Sequence, residues 1–412
     1  MSLCRFYPAP SDRMAIIWSL MPIGNAVVLE YGPAGTTHFG GGLYSSLGLE
    51  LGKSLFTTHI SEDDVIMGDV SRLENAILEL DEAYHPEIIF VVAAAVIAVI
   101  GTDIAGVCHY MQDKVNARLI SFEEGGFRGD YTCGLRSVYR MLANEVVRPA
   151  ARKEKTYNIL GASAGSYRVR SDVWEIQNLM REAFGYECGC VMGLECDVRD
   201  IEAMGGAELN LVLRNEAVEA AGILKEKCST PYVYGTPYGY SGTLAWLEEI
   251  AAILGKEVHP VLVERLKKKI MRLTPMGGPM GMGMMGQKKQ KAAVQGDYDT
   301  ILGFRNALSE MNIETETMVC SHSLKAIGNA DASVRYIAKE KERLDLFKNL
   351  RGQWCLGSDE MMQFCGKENY ATLISAPFVS KTQRAAHLPF MGEKGMDGLM
   401  ELKEEFLDRF ED

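Results

Sequence analysis

A repeated unit constrains this sequence more than any other feature: an apolar run, a short turn and an amphipathic segment follow one another along most of the chain. The run Ala26–Glu30 ends at a glycine turn, and the run Glu87–Val92 precedes a further glycine-containing turn and a helix-like segment. Fully apolar runs predict strands that are buried on both faces. Strands that alternate with helices predict parallel sheets with helices on both sides. We therefore expect an α/β fold of three doubly wound, Rossmann-like domains with parallel sheets around a central cleft.

The turn after the first apolar run is the first candidate for a binding position. It reads Tyr31-Gly-Pro-Ala-Gly-Thr36. Glycine tolerates a positive φ and proline fixes φ, so Gly32 and Gly35 favour a tight turn with close backbone approach. Ligands of open α/β sheets bind at the carboxyl ends of the strands. We therefore expect Gly32, Gly35, Thr36 and His38 to lie on a cofactor-side loop.

Charge and cysteine content exclude several classes of function. The 412 residues carry a net charge of −12, which argues against a general role in nucleic-acid binding. Ten cysteines occur without a recognisable secretory signal, which favours a reducing compartment where thiols serve packing, metal binding or redox chemistry. The longest apolar run, residues 88–100, is shorter than the roughly 20 residues that cross a bilayer. We therefore expect a cytoplasmic protein without a membrane segment.

Changes in composition divide the chain into four parts. We expect a first α/β domain over residues 1–150, a second over residues 151–264 and a third over residues 292–412. Between them, residues 265–291 join a basic stretch to a run of methionine and glycine, which indicates a linker in preference to a metal site. Within the first domain we expect the stretch 40–42 to be flexible and the apolar run to end in a turn before Gly101.

Several short blocks resemble, in order, those of the nitrogenase component 1 family. They are Cys4, the turn at Gly32, the segment Ala95–Ile104, the block Gly125–Gly129, the segment Glu208–Arg214 and Met396-Asp397-Gly398. In that family the matching blocks are a first cysteine, a His-Gly-Pro-x-Gly-Cys turn, a third cysteine before Ile-Gly-Asp-Asp-Ile, a Gly-Phe-Arg-Gly block, a strand of the second domain and a Tyr-Asp-Gly near the end. The resemblance covers nearly the whole chain and implies the family's fold.

The resemblance also implies an iron–sulfur cluster that two homologous subunits share. Of the family's three cysteine positions this chain keeps only Cys4, because the other two hold Thr36 and Ala95. A cluster needs several thiolates on converging loops, so this chain alone cannot complete a family-type ligand set. Either a homologous partner subunit supplies most of the thiolates, or substitutes within this chain contribute. Cys133 is the best substitute, and a purely structural thiol is the equal alternative.

The spacing and sequence contexts of the other cysteines favour a packing role over metal binding. Cys188, Cys190 and Cys196 have a spacing that matches neither a zinc pattern nor a ferredoxin pattern. The first two would share one face of a strand, because side chains alternate with period two. Five further cysteines in apolar or helical contexts are expected to be small core residues: Cys108, Cys228, Cys320, Cys355 and Cys365.

The resemblance places Arg214 and His387 in the cavity where the family holds its active cofactor. Arg214 stands at the position of the family's cofactor-binding cysteine, and His387 lies two residues from that of its histidine. Both ligands are therefore missing at the aligned positions, which argues against dinitrogen reduction in this chain, and a shift of His387 into the histidine position is the open alternative. Arg214 would offer a cation to a carboxylate substrate or an anionic cluster, or would be an ordinary salt-bridged or surface residue. His38 would tune a cluster or relay protons, and a solvent-facing position is the alternative.

The function that the resemblance implies is electron transfer in a two-component system. An ATP-dependent iron–sulfur reductase would dock on this chain and its homologous partner, and electrons would pass through the shared cluster to a small molecule or a tetrapyrrole. A scaffold for assembling a nitrogenase-type metallocluster is the second hypothesis. A non-catalytic subunit whose partner carries the active site is the third. Whether a second metallocofactor or a tetrapyrrole substrate binds in the cavity stays open.

Overall fold

The computed structural model describes residues 9–46, 49, 54–273, 290–374 and 389–408. Among these residues, no helix combines the length and the apolar character needed to cross a bilayer. The strands are β1 (Ile23–Gly24), β2 (Ala26–Tyr31), β3 (Leu55–Thr57), β4 (Ile88–Ala93), β5 (Arg118–Phe122), β6 (Thr156–Leu160), β7 (Glu187–Val191), β8 (Cys196–Asp197), β9 (Leu209–Val212), β10 (Tyr232–Tyr234), β11 (Gln290–Gly296), β12 (Ile313–Cys320), β13 (Arg335–Tyr336), β14 (Trp354–Gly357) and β15 (Tyr370–Leu373). The α-helices are α1 (Asp12–Leu20), α2 (Ala34–Ser46), α3 (Glu62–Met67), α4 (Ser71–Tyr84), α5 (Ala95–Ile100), α6 (Ile104–Met111), α7 (Tyr131–Met141), α8 (Val169–Phe184), α9 (Val198–Ala203), α10 (Val218–Cys228), α11 (Tyr240–Leu254), α12 (Pro260–Leu273), α13 (Tyr298–Glu310), α14 (Glu340–Lys348), α15 (Asp359–Phe364) and α16 (Gly392–Asp408).

The first sheet is parallel and has the strand order β3-β2-β4-β5. Strands β2 and β4 pair from Ala26 opposite Ile88 to Tyr31 opposite Ala93, so both end at the same level. Every residue of these two strands is buried, as their apolar sequences predict. One face of the sheet packs on helices α4 and α6 in a shared apolar core.

Each of the three parallel sheets reverses its strand order once. The second sheet runs β10-β9-β6-β7 and the third runs β13-β12-β11-β14-β15. The reversals therefore fall between β2 and β4, between β6 and β9, and between β11 and β14. Connections leave the two central strands in opposite directions at such a switch point, and the crevice between them is where doubly wound folds bind ligands.

These sheets confirm the predicted α/β fold class. The predicted domain boundary at residue 150 stays a prediction. Elements before and after this residue contact each other. Helix α7 contacts both α1 and α10, and the short parallel pair β1–β8 connects Ile23 to Cys196. The first and second α/β units are thus packed against each other.

Two local predictions in the first unit were wrong. The stretch 40–42 continues helix α2, where the bare backbone of Gly40 makes room for the ring of Tyr44: an added Cβ would come within 2.7 Å of it. Residues 95–100 form helix α5 and not a turn, and the helix ends at Gly101 with φ of 73°. A change from strand to helix cannot be recognised within an unbroken apolar run, because the run shows neither the two-residue alternation of a strand nor the 3.6-residue period of an amphipathic helix.

The predicted linker 265–291 begins as helix and ends as strand. Helix α12 runs through Leu273, with Leu262 and Leu266 fully buried one turn apart. Arg265, beside this buried face, forms ion pairs of 2.6 Å with Glu182 and 2.8 Å with Glu393. The chain enters β11 at residue 290, and residues 274–289, which include the methionine- and glycine-rich run, lie outside the described residues.

Candidate functional site

The first switch point is built from the turn after β2 and the end of β4. A side chain at Gly32 would place its Cβ 2.2 Å from the Cβ of Ala94. The Gly32 carbonyl accepts hydrogen bonds from the Ile60 amide and the Thr57 hydroxyl, each at 3.2 Å. Neither Gly32 nor Gly35 has a positive φ. The turn therefore needs glycine at position 32 for close approach, and not for an unusual backbone conformation.

The residues after this turn begin helix α2, so the prediction of a loop there was wrong. The Thr36 hydroxyl donates to the Pro33 carbonyl at 2.8 Å and so satisfies an acceptor at the start of the helix. Gly35 and His38 are exposed, and an added Cβ at Gly35 would meet no described atom within 4 Å. His38 thus takes the solvent-facing alternative in this chain, and any role toward a cofactor stays a prediction.

A buried carboxylate lies beneath the turn. Glu30 is fully buried and forms an ion pair with Arg13 of α1. It also accepts a hydrogen bond from the Thr37 hydroxyl at 2.6 Å. These contacts fasten helix α1 to the end of β2 and to the first turn of α2.

The glycine block after β5 joins the same switch point. Gly125 has φ of 60°, and an added Cβ would come within 2.1 Å of Ala98 on α5. The Asp12 amide donates to the Gly129 carbonyl at 3.2 Å, and the Asp12 carboxylate accepts from the Arg128 amide at 2.8 Å. Three blocks that the sequence singled out are therefore brought together at the carboxyl ends of β2, β4 and β5.

Thiol ligands are scarce around this switch point. Cys4 lies outside the described residues, and Ala95 offers only a methyl group. Cys133 is half-buried on α7, and burial followed by the nearby Asp130 carboxylate raises the pKa of its thiol, which disfavours the thiolate that iron requires. Within the described ranges, no three His, Cys, Asp or Glu side chains are grouped so that they could hold a metal ion. The described residues alone do not fit an iron–sulfur cluster.

The three closely spaced cysteines of the second unit lie in packed surroundings. Cys190 and Cys196 are buried, and the Cys188 thiol lies 3.6 Å from the Cys190 carbonyl oxygen. Burial raises the pKa of Cys188 to about 11. The packing interpretation of this group fits these surroundings.

The second and third switch points face each other across an ion pair. Arg214 follows β9 and Asp297 follows β11, and Arg214 Nη1 lies 2.7 Å from Asp297 Oδ2. Arg214 Nε lies 3.0 Å from Glu216 Oε2. Ser166, in the turn after β6, accepts a bond from Nη1 at 3.0 Å. The exposed fractions of the three charged side chains are 8% for Arg214, 1% for Glu216 and 9% for Asp297, so the pairs are removed from water.

The first unit reaches this ion pair through Tyr131 at the start of α7. The Tyr131 hydroxyl donates to the Asp297 carboxylate. Its ring packs 6.1 Å from that of Trp18 and 5.7 Å from that of His322, between centroids. Side chains from all three α/β units therefore meet here. We refer to four of them as the central junction: Tyr131, Arg214, Glu216 and Asp297.

Arg214 and Asp297 hold each other ionised. Burial alone would lower the pKa of Arg214, but Asp297 and Glu216 raise that pKa well above its ordinary value. Burial alone would raise the pKa of Asp297, but Arg214 brings it below its ordinary value. Burial and the Asp297 charge raise the pKa of Tyr131, which stays protonated. One guanidinium faces two carboxylates, so Arg214 takes the salt-bridged alternative and its charge is neutralised through Nε and Nη1.

A narrow cavity borders the central junction. Its volume is about 40 Å³, close to the share of one water molecule. Arg214 Nη2 is buried on its wall and has no hydrogen-bond partner among the residues that the structure describes. His387, which was predicted to line this cavity, lies outside the described residues. Other wall residues come from several strand ends: Gly161, Thr236, Tyr238, Thr300 and Ile374.

Two carboxylates on the cavity wall were not anticipated from the sequence. Asp172 of α8 accepts hydrogen bonds from the amides of Phe390 and Met391 at 2.6 and 3.0 Å. Burial raises the pKa of Asp172 to about 7, and these two bonds offset only part of that effect. Burial and then the Glu216 charge raise the pKa of Asp299 to about 6. Asp172 reads as an ordinary helix residue, and only the fold that brings residues 390–391 to α8 reveals it.

The chain has three α/β units, each with a parallel sheet, and they meet at the central junction. It is therefore a three-domain α/β protein with a potential ligand crevice at the switch point of each sheet. The model of the family described as "Nitrogenase component 1 type Oxidoreductase" matches residues 12–405, and the chain belongs to that family. The resemblance noted in the sequence is thereby confirmed.

Curated relatives narrow the comparison further. The "Nitrogenase iron-molybdenum cofactor biosynthesis protein NifE" of Nostoc sp. is 29% identical over 397 residues, which cover 92% of this chain and 78% of that protein. The protein of the same description from Clostridium pasteurianum is 28% identical over 253 residues, 60% of this chain and 53% of its own length. The nitrogenase molybdenum-iron protein alpha chain of Clostridium pasteurianum is 24% identical, over 60% of this chain and 48% of its own length. In the last two cases the match spans about half of the relative.

A solved structure shows the same fold. "Nitrogenase Cp1 at pH 6.5" superposes with a TM-score of 0.79 and covers 99% of this chain and 94% of its own. Its sequence identity of 19% supports the fold and nothing narrower.

Proposed function

We propose that this chain is a scaffold subunit for the assembly of a nitrogenase-type metallocluster and acts with a homologous partner subunit. The pairing of Arg214 carries this proposal. At the position where the resemblance places a cofactor-binding cysteine, the chain has a guanidinium that Asp297 and Glu216 neutralise. A guanidinium cannot ligate a metal, so permanent retention of a cofactor there is not supported. Relatives described as cofactor biosynthesis proteins support the same role.

The cluster site in this proposal lies at the first switch point and is shared between the two subunits. Cys4 would supply one thiolate, and Cys133 is the second candidate in this chain. Gly32 keeps the backbone of the turn close to β4, because a side chain there would strike Ala94. The exposed His38 would face the partner or solvent. The partner would supply the remaining thiolates, since one chain cannot complete the set.

Anaerobic purification of the chain, alone and with its homologous partner, tests this proposal. Iron, acid-labile sulfide and the EPR spectrum are measured for the wild type, Cys4→Ala and Cys133→Ala. We expect little iron in the isolated chain, one cluster in the complex and a lower occupancy in Cys4→Ala. Cys108→Ala is the matched control, because that thiol is only 5% exposed and packs in a core. Unchanged iron and EPR signals in Cys4→Ala would remove that residue from the ligand set.

A nitrogenase-like reductase subunit is the second candidate function. The family description as an oxidoreductase favours it, and so do the exposed Gly35 and His38 of α2 beside the first switch point, where an electron-donating partner could approach. The loaded complex can be mixed either with a cluster-free acceptor protein or with an ATP-dependent iron–sulfur reductase and ATP. A scaffold loses its iron to the acceptor. A reductase subunit keeps its cluster and passes electrons to a small molecule or a tetrapyrrole.

A further inference from the structure

We infer that the central junction closes the crevice between the second and third switch points, so that the residues that the structure describes contain no internal cofactor seat there and any metallocluster of the assembly lies at the surface of this chain or in the partner. The part about the surface cluster rests on the proposed function. The part about the closed crevice rests on the contacts of this chain alone. If the assembly holds a cofactor in an internal cavity, the residues that bind that cofactor therefore belong to the homologous partner.

The geometry leaves no space for a cluster between the second and third switch points. Two crevices that are expected to open at the carboxyl ends of parallel strands are here bridged directly by Arg214 and Asp297 at 2.7 Å. The turn after β6 is also pressed against the bridge, since a Cβ at Gly161 would lie 2.8 Å from the Arg214 backbone nitrogen. The cavity that the described residues leave beside the bridge is about 40 Å³, which several metal and sulfur atoms cannot enter.

The donor atoms at the junction are also unsuited to a soft metal site. The four junction side chains offer guanidinium nitrogens, carboxylates and a phenol, and the guanidinium cannot ligate. Of the softer groups nearby, His322 has both ring nitrogens engaged, with Nε2 accepting from the Tyr298 amide at 3.2 Å and Nδ1 lying 3.1 Å from the Ser323 carbonyl oxygen. Cys320 is buried, and burial raises the pKa of its thiol, so it stays protonated.

Opening the crevice would require the bridge to break inside the protein. Separating Arg214 from Asp297 would leave buried charges without their partners, an arrangement that strongly destabilises proteins. It would also remove the acceptor of the buried Tyr131 hydroxyl. The central junction therefore stabilises the packing of the three α/β units against one another.

Asp297→Asn tests the inference, with Tyr131→Phe as a milder variant that removes one hydroxyl. The control is Glu219→Gln, because Glu219 pairs with Arg140 at 3.9 Å on the surface, where both side chains are more than half exposed. Iron content and the EPR spectrum are measured in the complex with the partner. The urea midpoint of unfolding is measured on the metal-free chain.

We expect Asp297→Asn to keep the wild-type iron content and EPR spectrum and to lower the urea midpoint by about 1 M. Tyr131→Phe should shift it less, and Glu219→Gln not at all. A changed EPR spectrum or lost iron in a folded Asp297→Asn complex would overturn the inference, and so would an unchanged urea midpoint. A wild-type complex without iron would overturn the proposed function only, because the midpoint then still decides whether the junction fastens the units.

Discussion

Gly32→Ala is expected to disrupt the first switch point through a single pair of atoms. The new Cβ would lie 2.2 Å from the Cβ of Ala94, whereas carbon atoms pack at about 3.5–4.0 Å. The ends of β2 and β4 would therefore have to move apart by roughly 1.5 Å. The hydrogen bond from the Ala94 amide to the Tyr31 carbonyl, now 2.9 Å long, joins these same ends and would be strained or lost.

The magnitude follows from two contributions. Overpacking of a closely packed site costs about 1–3 kcal/mol, and loss of a buried backbone hydrogen bond adds about 1 kcal/mol. Gly32→Ala should thus lower the free energy of unfolding by about 2–4 kcal/mol. Gly35→Ala is the matched control three residues away: it meets no described atom within 4 Å and lies in helix α2, so we expect no loss and a gain of up to about 1 kcal/mol.

Urea unfolding followed by circular dichroism measures both variants, and a second substitution identifies the clash. Ala94→Gly removes the atom that Gly32→Ala would strike. The double variant should therefore recover at least half of the lost stability, although Ala94→Gly alone costs about 1 kcal/mol. Equal midpoints for Gly32→Ala and Gly35→Ala would refute the reasoning. Absence of recovery in the double variant would show that the damage does not arise from the contact with Ala94.

Two further predictions concern buried charges. Arg214→Met should destabilise the protein by about 3–5 kcal/mol, which is more than Asp297→Asn does. Arg214→Met leaves two buried carboxylates without a cation, whereas Asp297→Asn leaves the pair of Arg214 with Glu216 in place. Equal shifts in the urea midpoint would contradict this prediction. Asp172→Asn should flatten the dependence of stability on pH. Burial raises the folded-state pKa of Asp172 from 3.8 to about 7, so its contribution to stability is complete below about pH 4 and is lost as the pH rises through about 7. Melting temperatures at about pH 5 and about pH 8 measure the slope, and a wild-type slope in Asp172→Asn would count against a titrating Asp172.

The first sheet of this protein could be predicted from local sequence because its central strands β2 and β4 are mostly apolar. Strands β2 and β4 are buried on both faces, and short apolar runs that begin after a polar segment are typical of inner strands of a parallel sheet. The importance of Gly32 could also be predicted, since a glycine-proline turn follows the strand directly. Of the two reasons expected for glycine there, the close approach is found in the contact with Ala94, and the positive φ is not found.

The central junction could not be predicted because its partners are distant in sequence. Arg214 and Asp297 are 83 residues apart and meet only after two sheets have packed against each other. The sequence therefore left a free cation and a salt bridge as equal alternatives for Arg214. Helix α5 was missed for a different reason: its apolar residues continue those of β4 without a polar break, so the boundary is set by the end of strand pairing at Ala93.

The three larger sheets reverse their strand order independently, so the crevice of one sheet can change without rebuilding the others. Each crevice is bounded by its own pair of strands, so a few side chains can close one crevice while the hydrogen-bond ladders of the other two sheets stay intact. A change at Arg214 or Asp297 is therefore expected to alter the crevice between the second and third units, while the first switch point keeps the close contact of Gly32 with Ala94.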